Sequence, residues 1–202
     1  MSAPADRDRD RAARADRAPV EHFERLARDA EDPWDYATSS YEQRKYRRTL
    51  DYLPERPGRT LELGCSVGVF TAMLAPRCDS LLAVDFSPTA LERARRRVEG
   101  ANHVEVRQAR LPDQTPEGPF DTIVCAEILY YWSPELVREG LRRIEAALEP
   151  GGTLLLVHWR HADPRRALTG DDVHAILDAE ARLALDARFA TSDYLLDRRV
   201  AR

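Results

Sequence analysis

Arg59-Thr60-Leu61-Glu62-Leu63-Gly64-Cys65-Ser66-Val67-Gly68-Val69-Phe70-Thr71 decides how this 202-residue chain is read. The apolar run Thr60–Leu63 predicts a strand, Gly64 to Gly68 a turn of small residues, and Val69 the opening of a helix. That order exposes backbone N–H groups at a helix N-terminus and lets a ligand approach the chain closely. A second apolar run, Leu81-Leu82-Ala83-Val84, ends in Asp85, 21 positions after Gly64. A carboxylate there can accept hydrogen bonds from both hydroxyls of a ribose. The turn offers Gly64, Ser66 and Gly68 without a full G-x-G-x-x-G, and no Walker lysine follows it. A ribonucleoside without phosphates therefore fits better than a nucleoside triphosphate, and S-adenosyl-L-methionine is the candidate cofactor.

The bulk composition agrees with one soluble domain. At 43 % hydrophobic, 202 residues can bury a single good core. A net charge of -4 demands neither nucleic acid nor a membrane surface. No apolar run approaches the ~18 residues of a membrane span, and no signal-type apolar segment opens the chain, so a cytoplasmic location is expected. Cys65, Cys78 and Cys125 are widely spaced and make neither a disulfide framework nor a zinc site, and no metal is expected. Of the 31 basic residues only Lys45 is a lysine, which reads as an arginine-rich composition.

Residues 1–19 carry alternating charges and no large apolar residue after Met1, and read as a disordered tail. Residues 20–54 read as a helical cap: one helix through Phe23, Leu26, Ala27 and Ala30, and a second from Ser39 or Ser40 to Leu53. Over 59–202 strands and helices alternate. Strands are predicted at Thr60–Leu63, Leu81–Val84, Val104–Gln108, Phe120–Cys125 and Gly152–Trp159, and helices at Val69–Leu74, Pro88–Val98, Pro134–Leu148 and Asp171–Ala184. Ser87-Pro88 and Ser133-Pro134 each pair an N-cap with proline at the first helical position. Such alternation means a mostly parallel α/β sheet, doubly wound with helices on both faces. Two last runs, Leu185–Ala190 and Tyr194–Val200, are expected to pair as an antiparallel hairpin at the sheet edge.

These elements resemble the class I S-adenosylmethionine-dependent methyltransferases, a Rossmann-like seven-stranded fold whose last strand is antiparallel. The narrower resemblance is to the nodulation protein S family, N-methyltransferases of the deacetylated amino sugar of chitooligosaccharides. It rests on Asp32-Pro33-Trp34 with Thr38 to Tyr46, on the turn Glu62 to Thr71, and on Glu127-Ile128-Leu129-Tyr130-Tyr131-Trp132 with His158-Trp159-Arg160-His161 and Gly170-Asp171-Asp172-Val173-His174. The resemblance implies that the N-terminal cap folds over the cofactor as a lid, with Tyr41 toward the methionine carboxylate or the substrate and Arg44 or Arg48 toward that carboxylate. It implies an adenine contact after the third strand. Many class members carry an acidic residue there, whereas this chain reads Gln108-Ala109-Arg110-Leu111-Pro112, so the contact falls to the backbone of Ala109, Arg110 and Leu111, with Asp113 as the alternative.

Residue chemistry completes the expected site. Gly64, Cys65 and Gly68 line the cofactor turn, Glu62 orients the methionine amine or holds the loop, Asp85 takes the ribose, and Phe86 packs on the adenine or in the core. At the carboxyl ends of the next strands, Glu127, Tyr130, Tyr131 and His158 are expected to shape the acceptor pocket. By alternation, His158 and Arg160 share one face and Trp159 the other. Tryptophans stack on sugar rings, which suits Trp34, Trp132 or Trp159. The reading is N-methylation of a small hydroxyl-rich amine. An O-methyltransferase using His158 or His161 as base, and a non-catalytic binding module, are the alternatives.

Overall fold

The structure, a computed structural model, describes residues 20–202. The tail expected over 1–19 lies outside the described residues. Helix α1 covers 20–29. It is followed by α2 (Ser40–Asp51), β1 (Arg59–Leu63), α3 (Val69–Leu74), β2 (Ser80–Asp85), α4 (Pro88–Arg97), β3 (Val104–Gln108) and β4 (Phe120–Ala126). Then come α5 (Pro134–Ala147), β5 (Leu148–Trp159), α6 (Gly170–Glu180), β6 (Ala184–Ala190) and β7 (Tyr194–Val200). Four of the helices, α2, α4, α5 and α6, start where the sequence supplies oxygen caps: Ser39, Ser87, Ser133 and Thr169 each accept the N–H of a first-turn residue.

One sheet of order β3-β2-β1-β4-β5-β7-β6 forms the core. β1 pairs in parallel with both β2 and β4, so the winding reverses between them. In such sheets the crevice at the strands' carboxyl ends beside the reversal is where ligands bind. The doubly wound sheet is as expected. Its antiparallel strand is β7, which lies between β5 and the outermost β6 and pairs antiparallel with both. Alternation along β2 sorts the layers: Leu81 and Ala83 meet the α2–α4 side, whereas Leu82 and Val84 join the cluster containing Val137, Leu141 and Ile144 of α5 and Val173 and Leu177 of α6.

Two boundaries differ from the sequence reading by four residues. Helix α6 stops at Glu180, four residues short of Ala184. Leu183 is buried in the main core and Ala184 pairs with Val200, so sheet contacts override the helical propensity of Ala181-Arg182-Leu183-Ala184. Strand β5 starts at Leu148, which pairs with Phe120 before the ladder resumes at Thr153 opposite Thr122. Glu149 to Gly152 bulge out between those two pairings, with Gly151 at φ +79° making the bend.

Candidate cofactor and acceptor site

The carboxyl ends of β1, β2 and β4 open into a cavity of about 610 Å³, closed on its other side by α1, α2 and the segment between them. Two of its wall residues, Ser66 (φ +49°) and Glu127 (φ +60°), hold the left-handed backbone conformation that non-glycine residues rarely adopt. Both follow a strand end, and such departures cluster at ligand sites.

At the end of the cavity beside β2, the Ser66 and Ser87 N–H groups donate to Asp85 Oδ2 and Oδ1, each at 2.9 Å. Each carboxylate oxygen thereby keeps a lone pair for a further donor. Asp85 is 8 % exposed, and burial raises its pKa against the pull of these N–H groups. Gly64 has φ +73°, and a Cβ there would lie 2.5 Å from Ile128 Cδ1, so a side chain would fill the cavity wall. Phe86, Ala109, Arg110, Leu111 and Asp113 line the same cavity. The expected positions of Gly64, Asp85, Phe86 and 109–111 thus converge on one wall.

Four expected cofactor contacts do not reach it. Glu62 points into the sheet interior, 4 % exposed, where burial pushes its carboxyl up to about 7. Cys65 is likewise buried, against Ala83, Leu91 and Ala94. Gly68 caps α3 at φ +80°, and a Cβ there would lie 2.6 Å from Ala94 Cα. Its smallness serves the close approach of α3 to α4. Arg44 is exposed, because on α2 the neighbouring position, one 100° step round the helix, faces inward. Arg48 stacks on Phe189 at 4.8 Å instead.

The inward residue is Lys45, 4 % exposed, which sequence reading passed over. Its Nζ donates to Glu127 Oε1 at 2.6 Å and to Glu42 Oε1 at 3.1 Å. Being the sole lysine among 31 basic residues was the signal that marked it. Glu127 Oε2 also accepts the Tyr130 hydroxyl at 2.5 Å and the Trp159 N–H at 3.0 Å. Burial pushes the Glu127 carboxyl up, but Lys45 and the Tyr130 hydroxyl overcome that and hold it below the ordinary carboxylate range. Tyr130 and Tyr131 both line the cavity, with rings edge-on at 4.8 Å. Tyr131 also packs edge-on against Phe23 of α1 at 4.9 Å. Tyr41 lines the cavity with its hydroxyl unpartnered, and burial raises its pKa to about 12. Trp34, Trp132 and Trp159 line it too.

His158 is not in the pocket. The alternation along β5 is as read, but the face that opens to the cavity carries Trp159, and His158 turns toward α6. Its Nε2 accepts the Leu129 N–H at 3.3 Å, and its Nδ1 lies 3.2 Å from His174 Nε2. His174 Nδ1 in turn lies 2.9 Å from Asp197. Because Nε2 accepts, the neutral His158 ring carries its proton on Nδ1 and donates it to His174. Burial lowers its pKa to about 3. His161 is on the surface, 3.2 Å from Asp193. No histidine is on the cavity wall among the described residues.

Among the described residues no helix is long and apolar enough to cross a membrane. The family profile for nodulation protein S (NodS) matches residues 17–194. Nodulation protein S of Bradyrhizobium diazoefficiens is 36 % identical over 144 residues, which cover 65 % of this chain and 68 % of that one. The Rhizobium tropici protein of that name is 32 % identical over 172 residues, covering 82 % and 72 %. The crystal structure of the N-methyltransferase NodS from Bradyrhizobium japonicum with S-adenosyl-L-homocysteine matches at a TM-score of 0.82 and 27 % identity, over 91 % of this chain and 98 % of that one. With fold, cavity and a match from residue 17 to 194 in agreement, the chain belongs to the nodulation protein S family.

Proposed function

We propose that this protein N-methylates the amine of a small, hydroxyl-rich acceptor such as an amino sugar or a glycosylated metabolite. As a member of its family it is an S-adenosylmethionine-dependent methyltransferase, and that cofactor, when bound, supplies the methyl group from its sulfonium. The residues fit it. Asp85 would hold the ribose diol through its remaining lone pairs, Gly64 and Ser66 would let the methionine end approach, and Phe86 with 109–111 would flank the adenine. The cap would act as a lid: Glu24 of α1 accepts from the hydroxyls of Ser87 and Thr89 at the start of α4, beside Asp85.

The observation that carries the amine reading is the make-up of the acceptor end, an ionised carboxylate with no histidine on the cavity wall among the described residues. A sugar amine titrates near neutrality, so a substantial share already carries a free lone pair and alignment matters more than a base, whereas a hydroxyl acceptor needs a strong one. Glu127 Oε1 keeps a lone pair beyond its bond to Lys45 and can orient an amine N–H. Its lowered pKa makes it a weak base. His158, the base of the O-methyl alternative, has both ring nitrogens engaged in the core. Incubation with methyl-labelled S-adenosylmethionine and a panel of amino sugars is expected to label the amine. Label on hydroxyls alone overturns the reading, as does tight S-adenosylhomocysteine binding with no transfer at all.

A further inference from the structure

Arg166, in the loop between β5 and α6, lines the cavity beside Tyr130, Tyr131 and Trp159, and two of its three guanidinium nitrogens lack a hydrogen-bond partner among the described residues. Its guanidinium carbon lies 4.0 Å from the ring centroid of Tyr130, 4.7 Å from that of Trp159 and 5.5 Å from that of Tyr131. Ring faces attract the cation but use none of the N–H donors that a guanidinium carries in its own plane. Nε and Nη1 are buried and have no hydrogen-bond partner among the described residues. The neighbouring cations differ: Arg165 pairs with Asp163 at 2.6 Å, and Lys45 is held between Glu42 and Glu127. The loop is anchored, since the N–H groups of Ala167 and Leu168 both donate to Tyr130 O at 3.0 Å. Arg166 is therefore placed by its surroundings, the Tyr131 hydroxyl included, while Nε and Nη1 are left open.

We propose that Arg166 receives an oxyanion of the methyl acceptor, a carboxylate or a phosphate, so that the substrate is an amine that also carries an acidic group. This rests on the amine reading above and narrows it. Tyr130 links the two ends, its hydroxyl on Glu127 and its face under Arg166. An amine oriented by Glu127 would have its anionic group one tyrosine ring away. The guanidinium fork meets two oxygens of a carboxylate or phosphate at once, and the stacked rings fix the plane of that fork.

Three acceptors matched at one carbon test this: glucosamine, glucosamine 6-phosphate and the corresponding 6-carboxylate. One acidic amine is expected to exceed glucosamine in kcat/KM by about tenfold or more, chiefly through KM. The phosphate and carboxylate arms tell which oxyanion the site takes. Arg166→Gln is expected to bring that acceptor down to the level of glucosamine, and Arg166→Lys to recover only part of the loss. Calorimetry with S-adenosylhomocysteine checks that each variant is folded. Equal kcat/KM for all three amines, or a preference that survives in R166Q, overturns the proposal and leaves N-methylation standing. Faster methylation of glucosamine by R166Q overturns it as well, since the guanidinium would then be an obstruction. Methylation of none of the three counts against the amine reading. Tryptophan fluorescence of the S-adenosylhomocysteine complex, titrated with inorganic phosphate, then decides for the oxyanion site. A saturable change weakened about tenfold in R166Q upholds the site; no saturable change, or the same change in both proteins, overturns it.

Discussion

Lys45 Nζ lies 2.6 Å from Glu127 Oε1, an ion pair spanning 82 residues that ties the cap helix α2 to the end of β4. Glu42 completes the pair as a second carboxylate at 3.0 Å. Burial disfavours the ammonium, but Glu127 and Glu42 together drive its pKa up. The cap is thereby bound by charge to the end of β4, and by the packing of Tyr46 on Phe70 at 5.1 Å to α3.

Lys45→Met should lower stability by about 3 kcal/mol in urea unfolding, because it strands a buried carboxylate. Lys45→Met with Glu127→Gln should cost less than the sum of the single changes. Strict additivity would mean that the pair is not coupled. Glu127, with its pKa lowered, contributes stability above the ordinary carboxylate range, and that contribution is lost as pH falls through the lowered value. Glu127→Gln should remove this acid limb.

Glu62 titrates the other way. Its carboxyl rises from 4.5 to about 7, so the folded state holds the proton more tightly and stability falls as pH rises through that window. At about 1.36 kcal/mol per unit, Glu62→Gln should gain roughly 3 kcal/mol at pH 8 relative to pH 4. Thermal melts across that range check the sign.

Gly64→Ala and Gly68→Ala separate a wall residue from a packing residue. At Gly64 the added Cβ meets the far end of the Ile128 side chain. That variant should lose about 1 kcal/mol of stability to its positive φ and should weaken S-adenosylhomocysteine binding. At Gly68 it meets the Ala94 backbone. That variant should lose about 3 kcal/mol, with the affinity of the folded protein retained in calorimetry.

His158→Ala should destabilise by about 3 kcal/mol, since the Leu129 N–H and His174 Nε2 lose their partner. The pH profile of methyl transfer should keep its shape. Loss of an ionisation near neutrality would restore the histidine-base reading. Because the His158 pKa drops from 6.5 to about 3, the wild type loses stability as pH falls through that interval, and the variant should lose less.

Much of the fold was legible because its signals are local. Serine before proline started α4 and α5, and apolar runs bounded by glycine or acidic residues marked β1 and β2. Within the site, Gly64 and Asp85 were legible for the same reason, since each ends a strand at the sheet's carboxyl edge. Two of the misplaced residues failed on one step of phase. Arg44 and Lys45 are adjacent on α2, and His158 and Trp159 adjacent on β5. In each pair the neighbour of the expected residue reaches the cavity. Arg166 carried no mark in a loop that also contains Arg160 and Arg165.

The chain by itself determined the succession of strands and helices, the glycine turn and the carboxylate that follows it, because propensity, capping and alternation act over a few residues. Only the tertiary structure decided which face of α2 and of β5 turns inward. It also brought Lys45 to Glu127, and Arg166 onto the rings of Tyr130 and Trp159. Those contacts join segments distant in sequence, and they form only when burial of one face of the sheet chooses among rotations that local energetics leave equal.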